Sequence, residues 1–314
     1  MAFRISPEKP VTDAKNHFMS LIFNNFVKHM ARASVASSPP GRALNGVISS
    51  DETLTIAPKF GVVQLAESER STTLAAHIRQ SIEMQIDGKL LLPGAKLPSE
   101  RELSELFGTT RTTVKEALVA MEAEGRIYCE DRRGWFVAPP RLIYNPLYRS
   151  PFHQIVTDQK RCLETRVLLS RTIVATPAIC QNLELPTLSR VHEIHRLRKL
   201  DGRVVMLAKH YLKPEKFPRI FEHDLSQSLT TLYQQSYGIR YGRSRFEITP
   251  TAAWGEVAQA LMLTEGSQIL MISSIVYDQN DEIVEFEIEH WRHDAVRIIV
   301  DNLELERIKA QAQQ

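Results

Sequence analysis

The sequence predicts an α+β chain in two parts: a small helical module closed by a hairpin, then a larger domain built on a mostly antiparallel sheet. Three observations lead there. Apolar residues recur at helical spacing between Leu74 and Met121. The run Arg126–Ala138 reads as two short strands around Asp131-Arg132-Arg133-Gly134. Beyond Pro139-Pro140, strand-like runs joined by Asp-Gly and Asp-Gln-Asn-Asp turns alternate with helical segments. A chain of 314 residues that is 43% hydrophobic has the length for about two domains and the material for real cores. The expected division is 68–140 for the first domain, 141–150 for a linker and 151–303 for the second, with a tail at 304–314.

Residues 1–67 lie outside both domains. Ser34–Ser50 is rich in Ser, Pro, Gly and Ala without a period, so the segment is expected to be flexible, with Phe18–Met30 the one amphipathic stretch. The first domain opens with a helix over Thr72–Ile86, where Leu74, Ile78, Ile82 and Ile86 repeat every four residues. Ser99 and Glu102 then form a capping box with Pro98 outside it, and the helix they start carries Leu103 and Leu106 inward. Gly108 turns the chain. Thr109 or Thr110 caps a further helix whose apolar face is Val114, Ala117, Leu118 and Met121. This leaves Arg111, Thr112, Thr113 and Lys115 exposed at its N-terminal end, and Gly125 stops it. A helix, a turn, a second helix and a basic hairpin follow one another in the order of a helix-turn-helix with a wing. In that arrangement the N-terminal end of the second helix reads base edges in a major groove, and a hairpin tip carrying Arg132 and Arg133 can enter a minor groove.

In the second domain the first clear hairpin is Val191–Lys199 and Val204–Leu212 around Leu200-Asp201-Gly202. Helices are expected over 226–237 and 252–263. A second hairpin joins Ile269–Tyr277 to Glu282–Trp291.

Composition excludes more than it selects. The net charge is +2, and residues 70–141 hold 11 Lys/Arg against 10 Asp/Glu, so any affinity for DNA must come from where the charges sit. Three widely spaced cysteines, Cys129, Cys162 and Cys180, show no Cys-x-x-Cys spacing and point to reduced thiols. No apolar run reaches the roughly 20 residues a bilayer demands and no signal pattern opens the chain, so the expectation is a cytoplasmic location without a membrane partner. His192-Glu193-Ile194-His195 is a poor metal motif, because two histidines three apart on a strand face opposite sides. With no Gly-rich phosphate loop, nucleophile elbow or cysteine ligand set, no metal, cofactor or catalytic residue is expected.

The charges of the second domain are more specific. Arg196 and Arg198 stand two apart on a strand, so both guanidiniums leave one face and can grip one anion. Glu285, Glu287 and Glu289 do the same with the opposite sign, while Val284, Phe286 and Ile288 take the apolar face. A zwitterion with an acidic and an ammonium end would suit these rows. So would an exposed sheet face on which the two rows pair with each other or with water.

Leu97-Pro98-Ser99-Glu100-Arg101-Glu102-Leu103, Thr110-Arg111-Thr112-Thr113-Val114 and Glu124-Gly125-Arg126-Ile127 together resemble the winged-helix domain of the GntR family of bacterial regulators. The resemblance implies that Arg101, Arg111 and Lys115 meet double-stranded operator DNA, with Thr110, Thr112 and Thr113 on phosphates or base edges. Gly134 would let the wing approach the backbone beside Arg132 and Arg133. Lys115 stands where the family often has Arg, which keeps the charge and loses the planar fork. The second half is similar to the UTRA effector domain of the HutC-type branch, a chorismate-lyase-like α+β fold that binds a small molecule. That implies a site made from the helix start at Ser150, Phe152 and His153, from Arg196, Arg198 and Ser228, and from Glu285, Glu287 and Trp291. Ala208 occupies a position where sugar-responsive members carry Glu. Residues 132–137, 152–153, 197–203 and 286–294 further resemble the PhnR group, whose members regulate phosphonate utilisation. The combined expectation is a ligand-responsive repressor, a homodimer on a palindromic site. An enzyme fused to a DNA reader fits less well: family members with an aminotransferase half need a far longer chain.

Overall fold

The computed structural model describes residues 73–146 and 151–300, so Ser150 and the expectations for 1–67 and 304–314 lie outside the described residues. The chain divides into two compact units, one comprising Pro98–Met121 and the chain up to Leu92, the other Pro93–Leu97 and everything from Glu122 onward.

In the first unit α1 (Leu74–Asp87) starts at Thr73, whose hydroxyl accepts from the Ala76 amide at 3.3 Å. Its buried stripe is Ala75, Ile78, Ile82 and Gln85, while Leu74 is exposed and Ile86 half-buried. The four-residue repeat overstates the stripe, because four residues advance about 40° more than a full turn and the ends of the row rotate off the buried face. The capping box forms as expected: Ser99 Oγ accepts from the Glu102 amide at 3.3 Å and Glu102 Oε2 accepts from the Ser99 amide at 2.8 Å, opening α2 (Glu100–Leu106). Gly108 turns the chain at φ +60°. Thr110 then caps α3 (Arg111–Ala123) by accepting from the Thr113 amide at 3.2 Å, and Val114, Ala117, Leu118 and Met121 are buried along that helix.

In the second unit β1 (Ile127–Glu130) and β2 (Gly134–Val137) pair antiparallel from Ile127↔Val137 to Glu130↔Gly134. Gly134 sits at φ +95°, a conformation that makes glycine the fitting residue where the tip turns back. The segment expected to be an irregular linker contains β3 (Leu142–Tyr144), which pairs in parallel with β10 (Val296–Ile298). This corrects the reading: Leu142 is fully buried, and the Gln159 side chain brackets Ile143 by accepting from its amide at 2.9 Å and donating to its carbonyl at 2.8 Å.

The main sheet has six antiparallel strands in the order β4-β5-β6-β9-β8-β7. They are β4 (Leu163–Val174), β5 (Arg190–Leu200), β6 (Arg203–Leu212), β7 (Tyr241–Ala252), β8 (Gln268–Asp278) and β9 (Ile283–Arg292). Both expected hairpins are present, β5–β6 about Asp201 and Gly202, each at positive φ, and β8–β9 about Asp281. The outer strands β4 and β7 were not anticipated, and β7 extends through Ala252, where the sequence suggested a helix start. Helices α4 (Phe152–Asp158), α5 (Pro177–Leu183), α6 (Leu229–Tyr237) and α7 (Gly255–Leu261) complete the unit. Separate apolar clusters pack on the sheet, one holding Phe217, Leu229 and Tyr233 with Val276 and Val284, another Leu207, Ala258 and Leu261. Among the described residues no helix is long and apolar enough to cross a membrane.

Candidate functional site

Strand register assembles the site. Arg196 pairs with Ala208, Ala208 with Glu289, and one step along Arg198 pairs with Met206 and Met206 with Trp291. Directly opposed residues share a face, so the two arginines of β5 and the carboxylates of β9 stand on one side of the sheet, separated by the side chains of β6. With strands about 4.8 Å apart, the two charged rows are about 10 Å apart at their backbones. Between them Ala208 keeps the row open.

This face is not exposed. Arg196 retains 2% of its surface, Arg198 7% and Glu285 none. The reading of two mutually neutralising rows on a wet face is therefore set aside. Above the sheet a cavity of about 1090 Å³ is lined by Arg196, Arg198, His210, Glu287 and Glu289, with Phe152, His153, Ser228 and Tyr144 on its walls. Arg196 Nη2 donates to the Gln227 carbonyl at 2.5 Å and the Ser226 carbonyl at 3.4 Å, at the start of α6. The Arg198 guanidinium lies 4.2 Å from the centre of the Phe152 ring. Neither arginine forms an ion pair with a carboxylate among the described residues, and the Nε of each is buried without a partner. Burial, and then Arg198, push the Arg196 pKa down to about 9, so the group still carries its charge at neutral pH.

The acidic row separates into a hidden member and two that line the cavity. Glu285 is held from behind: His210 Nδ1 lies 2.7 Å from its Oε1, and the Tyr233 and Tyr241 hydroxyls donate to it. It does not line the cavity, and neither does Trp291, whose indole donates to Glu289 at 2.9 Å and packs on Phe152 and Tyr144. The cavity-facing carboxylates are Glu287 and Glu289. Burial pushes Glu289 up to about 8 and Glu285 up to about 7, raises Glu287 as well, and pulls His210 down to about 3. The site thus holds two fixed positive charges beside carboxyls that give up their protons reluctantly. His210, Glu285 and Glu287 offer three ligand atoms within 4.8 Å of one another, but two neighbouring guanidiniums oppose a cation there.

Of the expected effector residues, Phe152, His153, Arg196, Arg198, Ser228 and Glu287 meet at the cavity. The Ser228 hydroxyl also caps α6, accepting from the Thr231 amide at 3.3 Å. Sequence reasoning missed His210, Tyr144 and the Tyr233–Tyr241 pair. His210 shares the face of Ala208 by simple alternation on β6, a signal that was available; the tyrosines arrive from elements whose placement the sequence does not encode locally.

The residues expected to face DNA are on the surface. Arg111, Thr112 and Lys115 are exposed on the first turns of α3, and Arg101 pairs with Glu105 at 2.8 Å. At the wing tip the Arg132 side chain is 93% exposed with its Nε 3.6 Å from Asp131, and the exposed Arg133 is paired with the buried Glu130.

Residues 74–137 match the family described as bacterial regulatory proteins, gntR family, and residues 158–297 match the UTRA domain. The chain thus joins a GntR-type DNA-binding domain to a UTRA effector domain. It is a ligand-responsive, DNA-binding transcriptional regulator with a UTRA effector domain. It is 28% identical over 234 residues to the HTH-type transcriptional regulator YihL of Escherichia coli K12, a match covering 71% of this chain and 95% of YihL. It is 27% identical over 208 residues to the HTH-type transcriptional repressor NagR of Bacillus subtilis, covering 66% and 86% of the two chains. The crystal structure of PhnF from Mycobacterium smegmatis shares the fold, with a TM-score of 0.51 at 23% identity over 71% of this chain and 98% of PhnF.

Proposed function

We propose that this GntR/UTRA regulator is a repressor of phosphonate utilisation, released from its operator when 2-aminoethylphosphonate or a close metabolite fills the cavity. The observation that supports this most is the pair of buried guanidiniums with no protein counter-ion, facing Glu287 and Glu289 across Ala208. Leaving the guanidiniums buried and unpaired is costly, so an anion at one end of the ligand relieves the arginines, while an ammonium at its other end would favour the ionised form of the carboxyls opposite, whose pKa values burial raises. In the same reading Arg101, Thr110, Arg111, Thr112, Thr113 and Lys115, with Arg132, Arg133 and Gly134 of the wing, contact DNA. The protein acts as a cytoplasmic homodimer on a palindromic operator.

Calorimetry with 2-aminoethylphosphonate, ethylphosphonate, ethylamine and a hexosamine phosphate tests the ligand. The aminophosphonate should bind at least about tenfold tighter than either half-molecule, since each lacks one charged contact. Tighter binding by the sugar phosphate would replace the phosphonate reading with a sugar-phosphate one.

A further inference from the structure

The strand that lines the cavity also holds the wing. Past Glu289 on β9, the fully buried Arg292 faces the opposite side of the sheet, where its Nη1 donates to the Leu261 carbonyl at 3.0 Å and its Nη2 to the Cys129 carbonyl of β1 at 2.7 Å. Asp294 accepts from Arg292 Nε at 3.4 Å and from Arg203, and the Arg203 guanidinium lies 3.6 Å from the centre of the Tyr128 ring. The Asp131 amide donates to the Met262 carbonyl at 3.0 Å. Three positions of the hairpin are therefore fastened to β6, β9 and the end of α7. A hairpin of two four-residue strands is marginal by itself, so these ties set how firmly the wing is held. They are also costly, because Arg203 keeps Nε and Nη1 buried without partners.

A second connection runs along the chain. Beyond β2 the backbone passes through Pro139-Pro140 into β3, where Tyr144 shares the cavity wall with Glu289 and packs against Trp291 and Phe152. Both routes from the hairpin end at the same cavity wall.

We propose that Arg292, Asp294 and Arg203 form a clamp through which occupancy of the cavity sets the hold on the wing. This rests on the reading of the cavity as the effector site. A ligand drawn between the arginines of β5 and the carboxylates of β9 displaces β9 and Tyr144, and the clamp carries that displacement to the hairpin bearing Arg132 and Arg133. Small shifts transmit because packed strands move as units.

Hydrogen exchange on the full chain tests this, in wild type and Arg292→Lys, with no addition, with inorganic phosphate and with 2-aminoethylphosphonate. Lysine keeps the charge and loses the fork that reaches two carbonyls. Without ligand, amides of residues 127–137 should exchange at least about fivefold faster in the variant, an opening shift of about 1 kcal/mol. In wild type, ligand should change that exchange; in the variant it should not, although calorimetric affinity stays within about twofold. Equal exchange in the two unliganded proteins, or an undiminished ligand response in Arg292→Lys, overturns the clamp. Absence of calorimetric binding of either compound to wild type counts against the effector reading instead, and the unliganded comparison then decides the clamp alone. Should Arg292→Lys not fold, Tyr128→Leu, which removes the ring beneath Arg203, gives the same unliganded comparison.

Discussion

Arginine does opposite work in the two units. On α3 Arg111 stands in water, where its charge is screened and costs little, as the proposed contact with a polyanion requires. On β5 Arg196 is buried, forms no ion pair among the described residues and is held by the Ser226 and Gln227 carbonyls, so its charge is desolvated, a cost that an anion entering the cavity would lower. Surface cations give association and register; buried ones give chemical selection. The contrast is useful because each half predicts a different response to losing the same side chain.

The largest effect is expected at the buried pair. Arg196→Met should weaken aminophosphonate binding by about thirtyfold or more, since one charge of the ligand would be desolvated without its partner. The same variant should be as stable as wild type or more so in the absence of ligand, because an apolar side chain replaces an uncompensated buried charge. Calorimetry and urea unfolding read the two quantities. A destabilised variant with unchanged ligand affinity would make Arg196 a structural strut for the Ser226 and Gln227 carbonyls.

At the surface the loss should be smaller and of another kind. Arg111→Ala should cost about 1–3 kcal/mol of specific DNA affinity and relax selectivity at one base position per half-site, with thermal stability unchanged. Electrophoretic titration against selected and scrambled duplexes measures this. Equal weakening on both would reduce Arg111 to a phosphate contact.

The buried acidic row gives the second unit a pH response of its own. Glu285 and Glu289 have folded pKa values of about 7 and about 8, above the ordinary 4.5, so the fold favours their protonated forms. Their contribution is fully present below pH 4.5 and is lost as pH rises through 7 and 8. His210 has the opposite sign, but its window lies between 6.5 and about 3. Unfolding free energy should therefore fall between pH 6 and pH 9 by a few kcal/mol, roughly one pKa unit's worth from Glu285 and two from Glu289, and Glu289→Gln should flatten the fall. A stability that stays flat over this interval would show that the carboxyls ionise as freely in the folded chain as in the unfolded one.

The same contrast decides what the sequence disclosed. In the first unit function and local signal coincide: the capping box, the Gly108 turn and the four apolar positions of α3 are set by neighbours in the chain, so the helices and their exposed basic ends could be read directly. In the second, the inner strands β5, β6, β8 and β9 are marked by recurring apolar residues and by the tight turns that join them in pairs. The edge strands β4 and β7 did not, because one side of each faces water and residues such as Glu164, Arg166, Arg243 and Arg245 break the apolar pattern. The charged rows of β5 and β9 were legible as rows, whereas their separation by β6 is a matter of strand order. Nothing local places Ala208 between Arg196 and Glu289, or sets Tyr233 and Tyr241 behind Glu285.

The smallest expected effect lies at Arg101, where both halves of the comparison meet in one residue. Its guanidinium is paired with Glu105 one helical turn away at 2.8 Å, and both side chains are about 60% exposed. An exposed pair of this spacing contributes roughly 0.3–0.5 kcal/mol, so Arg101→Ala should barely move the unfolding midpoint. If Arg101 exchanges Glu105 for a DNA phosphate, the variant should bind all duplexes more weakly, with the dependence of log affinity on log salt shallower by about one ion. Glu105→Gln separates the roles: it frees the guanidinium and removes a negative charge from the same turn, so DNA binding should tighten slightly while stability falls by no more than the pair contributes. An unchanged salt slope in Arg101→Ala would leave this arginine as a partner for Glu105 alone.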